Sequence, residues 1–192
     1  MQTKKLLNLR CYGIELWGDN QTFRRFAVTR KFVGQAFKGE PVLDCGGDNR
    51  FGRELAKELN LEYHFTEGDL NGGWSGTRNP EVVFCFEVIE HLMNPLLFLT
   101  TLRDLCDKNT KVYLSYPRTP RWLMSDRHFH EFRDIEFHTL IDEAGFEIVK
   151  YEAHRIRHDW IFYLTGLRPF IRFWVMLLGL SNTHFYCLKI KS

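Results

Sequence analysis

Residues 87–95 read EVIEHLMNP, so Glu87 and Glu90 stand one helical step apart and His91 follows the second directly. Two carboxylates and an imidazole this close suit three uses: ligation of a divalent ion, a proton-transfer site, or a solvated loop that caps the next helix. A second group lies in HFHEF (128–132), where His128, His130 and Glu131 crowd together. Imidazole changes charge near neutral pH, so either histidine can act as a base toward a hydroxyl. The plainer reading is that His130 and Glu131 only anchor their loop. A third group is LDCGGDNRFG, where Asp44 closes an apolar run ahead of Gly46 and Gly47. Glycine there lets backbone approach a ligand with no side chain between them.

These groups need elements to position them. PVLDC (41–45) is apolar and opened by proline, as a buried parallel strand would be. After the GGDN turn, RFGRELAKELN predicts a helix with Leu55, Ala56 and Leu59 on one face, capped by Asp48 or Asn49. LEYHF (61–65) and VVFCF (82–86) predict two more strands, separated by the turn-rich EGDLNGGWSGTRNP. Asn94-Pro95 is an N-cap followed by proline at the first helical position, and it opens LLFLTTLRDLCDK. KVYLSY (111–116) predicts a fourth strand, stopped by Pro117. RDIEFHTLIDEAG predicts an amphipathic helix with Ile135, Leu140, Ile141 and Ala144 inside and Gly145 as its stop. FEIVKYEAH and HFYCLKIK (184–191) predict the last two strands. Ahead of them all, Phe23, Phe26, Ala27, Val33 and Phe37 recur at helical spacing, predicting a helical segment over 19–38. Strands alternating with helices imply an α/β fold: a doubly wound, mostly parallel sheet with right-handed crossovers. The final strand lacks a clean helix before it and is expected antiparallel at the edge, with 157–181 as an aromatic flap or connection. One domain is expected over 1–192.

Composition narrows the function classes. A net charge of +2 does not describe a surface that coats nucleic acid. The 17 Phe, 7 Tyr and 5 Trp exceed what a small core uses, which predicts a lined pocket or an exposed patch. The five cysteines are odd in number and form no CxxC; Cys45 and Cys85 lie inside apolar runs. That pattern predicts reduced, buried thiols in a cytoplasmic protein. No long apolar stretch follows the first lysines, so no signal peptide is expected. The aromatic segment from Trp160 to Leu180 is broken by Arg168, Pro169 and Arg172, and its uninterrupted part falls far short of the roughly 20 residues a bilayer requires. A packed flap, a dimer face and an interfacial helix that touches a membrane are the options for it.

In a doubly wound sheet ligands bind beyond the carboxyl ends of the strands. The loop after the first strand carries neither GxGxxG nor a Walker lysine. Four stretches instead resemble the class I S-adenosylmethionine-dependent methyltransferases, in that family's order across roughly residues 41 to 149. They are VLDCGGDNRFGREL, FTEGDLNG, VVFCFEVIEHLMNPLLFL and HFHEFRDIEFHTLIDEAGFEI. The resemblance implies a Rossmann-like core and S-adenosylmethionine as cofactor. It places Asp44 at the cofactor's ammonium group, with Cys45, Gly46 and Gly47 beside it. Asp69, or Glu67 in second place, would take the ribose hydroxyls or the adenine amino group; Leu70 would border the adenine, and Phe86 and Glu87 the methionine part. Two departures stand out. Asp48 and Arg50 occupy positions usually given to glycine, which implies a stiffer loop. Only one strand is evident between the first strand and VVFCF where the family has two, so one strand–helix unit is expected to be missing.

The family's common loop after its fourth strand matches EVIEHL, with Glu87 and His91 framing the site and no metal. ExxEH also resembles the metal-holding motif of small-RNA 2′-O-methyltransferases and of some ubiquinone-pathway O-methyltransferases, which would need Glu87, Glu90, His91 and His128 or His130 to converge. The expected activity is methyl transfer to a small-molecule acceptor at oxygen, with His91, His128 and His130 as catalytic candidates. Arg118, Arg121, Trp122 and Trp74 are candidates for shaping the acceptor pocket. An amphipathic or sugar acceptor would suit the aromatic segment, and no nucleic-acid partner is expected. The alternatives are a metal-dependent RNA 2′-O-methyltransferase and a catalytically degenerate binding subunit.

Overall fold

Hydrophobic alternation divides the core between the two faces of one sheet. The computed structural model describes residues 20–118, 127–156, 167–178 and 182–191. The sheet comprises β1 (Pro41–Asp44), β2 (Glu62–Phe65), β5 (Val82–Phe86), β6 (Lys111–Arg118), β7 (Phe146–His154) and β8 (Asn182–Ile190), in the order β2-β1-β5-β6-β8-β7. β2, β1, β5 and β6 run parallel, and β8 runs antiparallel to both β6 and β7. Val42, Val82, Phe84 and Tyr113 face one side with Leu55 and Leu59 of α2 (Arg50–Leu59) and Phe26 and Phe32 of α1 (Asn20–Val33). Leu43, Val83, Cys85, Val112 and Leu114 face the other side, under α3 (Pro95–Leu105) and α4 (Asp134–Glu143). Both faces are covered, and this is why β1 and β5 read as continuous apolar runs.

Local signals set most boundaries. The Asn49 side chain accepts from the Gly52 amide at 2.7 Å and caps α2, and the Asn94 side chain caps α3 ahead of Pro95. The expected missing unit is absent from the main sheet. In its place a short hairpin, β3 (Glu67–Gly68) with β4 (Trp74–Ser75), returns the chain directly from β2 to β5. Trp74 lies against Phe98 with ring centroids 5.5 Å apart, and the Asn71 side chain accepts from the Met93 amide at 2.6 Å. The hairpin is thereby clamped to α3 and to Met93, where the acid–histidine loop ends.

Several expectations are corrected. The C-terminal strand β8 is antiparallel but lies inside the sheet, and β7 takes the edge. β6 continues through Pro117, in register with Thr183. Pairing with β5 has ended by then, at Phe86 opposite Ser115, so Pro117 sits where only one neighbour remains and a missing amide is tolerated. α1 ends at Val33, because Gly34 turns into the left-handed region at φ 83°. Phe23 and Ala27 of α1 are exposed, and Thr22 and Thr29 are buried instead. Ile135 is 82% exposed, and Phe137 occupies the core position of α4. Cys45, Cys85, Cys106 and Cys187 are free thiols; Cys11 lies outside the described residues. Of the 157–181 segment the structure describes mainly α5 (Leu167–Leu177), which buries Val175 and exposes Phe170, Trp174 and Leu177. No helix among the described residues is long and apolar enough to cross a membrane.

Phe98 has no exposed surface, and its loss would empty the space between α3 and the hairpin. Phe98→Ala should lower stability by about 3–5 kcal/mol in urea unfolding, whereas Ile135→Ala should stay within about 0.5 kcal/mol.

Candidate functional site

The carboxyl ends of β1 and β5 bring the three groups of the sequence together. Asp44 ends β1 at 5% exposure. Its Oδ1 accepts from the Gly46 amide at 2.8 Å; its Oδ2 accepts from Asn49 Nδ2 at 2.9 Å and from the Tyr63 hydroxyl at 3.2 Å. Burial pushes its pKa up to about 6, against the downward pull of the Gly46, Asn49 and Tyr63 donors. A Cβ on Gly52 would fall 1.8 Å from Asp44 Oδ2, so α2 can begin this close to the carboxylate only with glycine at that position. Gly47 stands at φ 69° with open space where a Cβ would be. The Cys45 side chain is a free thiol buried in the core, so only its backbone can border a ligand. Asp48 is held by Arg53 at 2.5 Å at the surface.

Beyond β5 the chain turns sharply. Phe86 packs on Phe51 and Phe84, and Glu87 adopts φ 56°, a left-handed conformation that a non-glycine residue holds at some cost in strain. Glu87 Oε1 accepts from Ser115 Oγ at 3.3 Å, and its Oε2 lies 3.7 Å from Arg25 Nη2. Glu90 is 1% exposed. Neither of its oxygens has a hydrogen-bond partner among the described residues, and burial, reinforced by Glu87, drives its pKa well above the ordinary carboxyl range. His91 Nδ1 lies 2.9 Å from the Arg127 carbonyl oxygen, and His91 Nε2 lies 3.9 Å from Glu90 Oε1. The His128 ring meets the His91 ring edge-on with centroids 4.7 Å apart. His130 stacks on Phe132 at 5.3 Å, and its Nε2 is buried without a partner.

Other candidates lie further from this cluster. Asp69 is exposed at the hairpin turn, where its Oδ1 accepts from the Asn71 amide at 2.9 Å. Leu70 packs beside Trp74 against the core. Arg118 is taken by Asp134 in a two-pronged pair, both contacts 2.9 Å. Arg121 and Trp122 lie outside the described residues. Nothing local in the sequence marks Arg25 or Tyr63, because each reaches the site from another element; Gly52 reads there only as a glycine of the first loop at the wrong spacing for a dinucleotide fingerprint.

A family model described as a methyltransferase domain matches residues 19–151 of the chain. The chain belongs to this methyltransferase family. No curated protein matches it by sequence. Among solved structures, a SAM-dependent methyltransferase from Archaeoglobus fulgidus superposes with TM-score 0.64 at 14% identity, covering 97% of this chain and 99% of that one. A methyltransferase bound to the Trm112 activator of Haloferax volcanii gives 0.68 at 11% identity, covering 97% and 96%. An O-methyltransferase from a trans-AT PKS multienzyme of Brevibacillus brevis, in complex with S-adenosyl-L-homocysteine, gives 0.59 at 11% identity, covering 86% and 72%.

The methyltransferase cofactor is S-adenosylmethionine, and the residues present suit it. Its ammonium and sulfonium groups are cationic, and three buried carboxyl groups stand at or just beyond the carboxyl ends of the paired strands β1 and β5: Asp44, Glu87 and Glu90. Asp44 Oδ1 has one internal donor where Oδ2 has two, which leaves it capacity for another. The open space at Gly47 keeps the backbone accessible.

The pKa of Asp44 gives a test of this environment. The folded value of about 6 exceeds the ordinary 3.8, so the folded state holds the proton more tightly than the unfolded chain. The resulting stabilisation is fully present below about pH 4 and is lost as pH rises through about 6, a change of about 3 kcal/mol. Asp44→Asn should flatten that slope in thermal melts recorded between about pH 4 and pH 6.5. Parallel profiles for the variant and the parent would contradict the burial argument.

Proposed function

We propose that this methyltransferase transfers the cofactor's methyl group to an oxygen atom of a small-molecule acceptor. The observation that carries the reading is the placing of the His91 and His128 imidazoles, 4.7 Å apart, with His91 directly after Glu90 in the turn beyond β5. Methyl transfer is a direct displacement at the sulfonium carbon, so a protein contributes proximity, alignment and, for a hydroxyl acceptor, removal of a proton. S-adenosylmethionine supplies the activated methyl group. Asp44 takes the ammonium end, directly or through water, and the backbone of Cys45, Gly46 and Gly47 runs along it. The backbone at Phe86 and Glu87 borders the methionine part. Asp69 takes the ribose hydroxyls or the adenine amino group, beside Leu70.

The histidines have distinct means of handling the acceptor's proton. With its proton on Nδ1, His91 donates a hydrogen bond to the Arg127 carbonyl, which leaves the Nε2 lone pair available. His130 Nε2, buried and without a partner, is a second acceptor at the same loop. Exposed Phe170 and Trp174 on α5 favour an acceptor with an apolar or ring-stacking part.

Titration calorimetry tests the cofactor half: S-adenosylhomocysteine should bind one to one, and Asp44→Asn should weaken it about 10- to 100-fold through loss of a charged hydrogen-bond partner. His128→Ala should keep that affinity and slow methyl transfer to hydroxyl acceptors by about 100-fold or more. Failure of the parent protein to bind S-adenosylhomocysteine would remove the proposal.

A further inference from the structure

Surface polarity changes along the strand direction. Apart from Val149 and Tyr151 on the edge strand β7, every large apolar residue that stands exposed among the described ones falls at the carboxyl ends of the strands, around the candidate site. Met93 and Leu97 directly follow the acid–histidine loop. Phe129 is next to His128, and its amide donates to the Glu90 carbonyl at 2.9 Å. Ile135 follows Asp134, which Arg118 holds at the end of β6. The opposite end, where the strands begin, carries Glu40, Glu62, Glu81 and Lys108 instead.

α5 extends this apolar face. Phe170, Trp174, Leu177 and Leu178 recur at the spacing of one helix face, and they are 46–69% exposed while Val175 is buried. The helix ends just before Asn182, which is in register with Arg118 at the same end of the sheet. It contains no acidic residue, and its 11 residues fall far short of the roughly 20 that a bilayer span requires. A short helix with one aromatic and aliphatic face suits the plane of a lipid surface. Charge follows the same division. The connection from β7 to β8, residues 155–181, carries four arginines and one acid, Asp159, a net +3 in a chain whose total is +2. A second copy of the chain would bring that excess against itself, whereas anionic headgroups attract it.

We propose that the carboxyl-end face of the sheet, with α5 as its anchor, docks on an anionic lipid bilayer. The exposed side chains of α5, together with Met93, Leu97 and Phe129 beside the site, enter the interfacial layer, and the positive charge of 155–181 meets the headgroups. The candidate site then faces the lipid, so a hydroxyl-bearing amphiphile dissolved in the bilayer reaches His91 and His128 without crossing water. That class of acceptor rests on the proposed transfer to oxygen; the docking does not.

The test is cosedimentation of the full-length protein with vesicles of equimolar phosphatidylglycerol and phosphatidylcholine, against vesicles of phosphatidylcholine alone. The parent should bind the anionic vesicles at least about ten-fold more tightly at about 0.1 M salt, and lose most of that preference at about 1 M, where screening shortens to roughly 3 Å. Leu177→Ser combined with Leu178→Ser should weaken binding to the anionic vesicles at least about ten-fold, Met93→Ser combined with Leu97→Ser should weaken it in the same direction, and Val149→Ser on the edge strand should not. All five side chains are exposed, and circular dichroism checks that each variant folds; the Met93 and Leu97 pair decides the matter if the α5 pair does not. No binding by the parent, equal binding to the two kinds of vesicle, or equal binding by the parent and both variant pairs overturns the proposal. A parent that ignores vesicles and forms a dimer in sedimentation velocity, lost in the α5 variant, also overturns it, because the face then belongs to a second copy. A parallel titration with S-adenosylhomocysteine separates the two readings. Cofactor binding without vesicle binding removes the docking alone, and vesicle binding without cofactor binding leaves the docking standing while removing the proposed methyl transfer.

Discussion

The buried carboxyl of Asp44 joins the three segments that meet at the carboxyl end of β1, one side of the candidate site. It terminates β1, accepts from Asn49 at the start of α2, and accepts from Tyr63 on β2. Asn49 works in two directions: its nitrogen donates to Asp44, and its oxygen caps α2 through the Gly52 amide. Gly52 completes the arrangement by what it lacks, since any Cβ would collide with the carboxylate. The strand end, the turn and the helix start are thus fixed relative to one another by one side chain. The donors offset part of the burial penalty, and the remainder appears as a raised pKa.

The sheet shows how a short chain retains a two-sided core. Dropping one strand–helix unit leaves β2 at the edge of the sheet. The small hairpin that replaces the unit turns its apolar residues, Leu70 and Trp74, inward onto the core beneath α3. At the other side, placing β8 between β6 and β7 covers β6, and β8 carries an almost continuously buried run from Thr183 to Leu188. The edge strand β7 is correspondingly mixed, with Val149 and Tyr151 exposed.

Glu87 and Glu90 are chemically identical and only three residues apart, yet their surroundings differ completely. The left-handed turn at Glu87 swings its carboxyl toward Ser115 on β6 and Arg25 on α1. Glu90, in the short 3-10 turn Ile89–His91, is carried inward and meets two histidines instead. One of those histidines follows it directly, and the other arrives from a loop bonded to its own backbone. The motif therefore divides into a residue satisfied by hydrogen bond and ion pair and a residue whose carboxyl is buried beside imidazoles with no hydrogen-bond partner among the described residues.

Much of this was legible in the sequence, for local reasons. VVFCF and FEIVKYEAH match β5 and β7 residue for residue, and the Asn94-Pro95 start of α3 stands as read. The missing unit was visible as a stretch too rich in turns to hold it. Readings failed where burial depended on a distant neighbour: Ile135 has the type and spacing of a core residue, but no described element covers it, and Phe137 is buried instead. Pro117 has the chemistry of a strand stop, but its strand had already lost one neighbour there. The strand ends beyond which the candidate site lies were legible in the sequence alone, because strand periodicity, caps and turn residues act over a few positions, whereas the family and the cofactor came from the resemblance that four stretches carry. Which carboxylate is satisfied and which is left facing imidazoles was decided only by the tertiary structure, because that depends on Arg25, Ser115 and His128, brought from three separate elements.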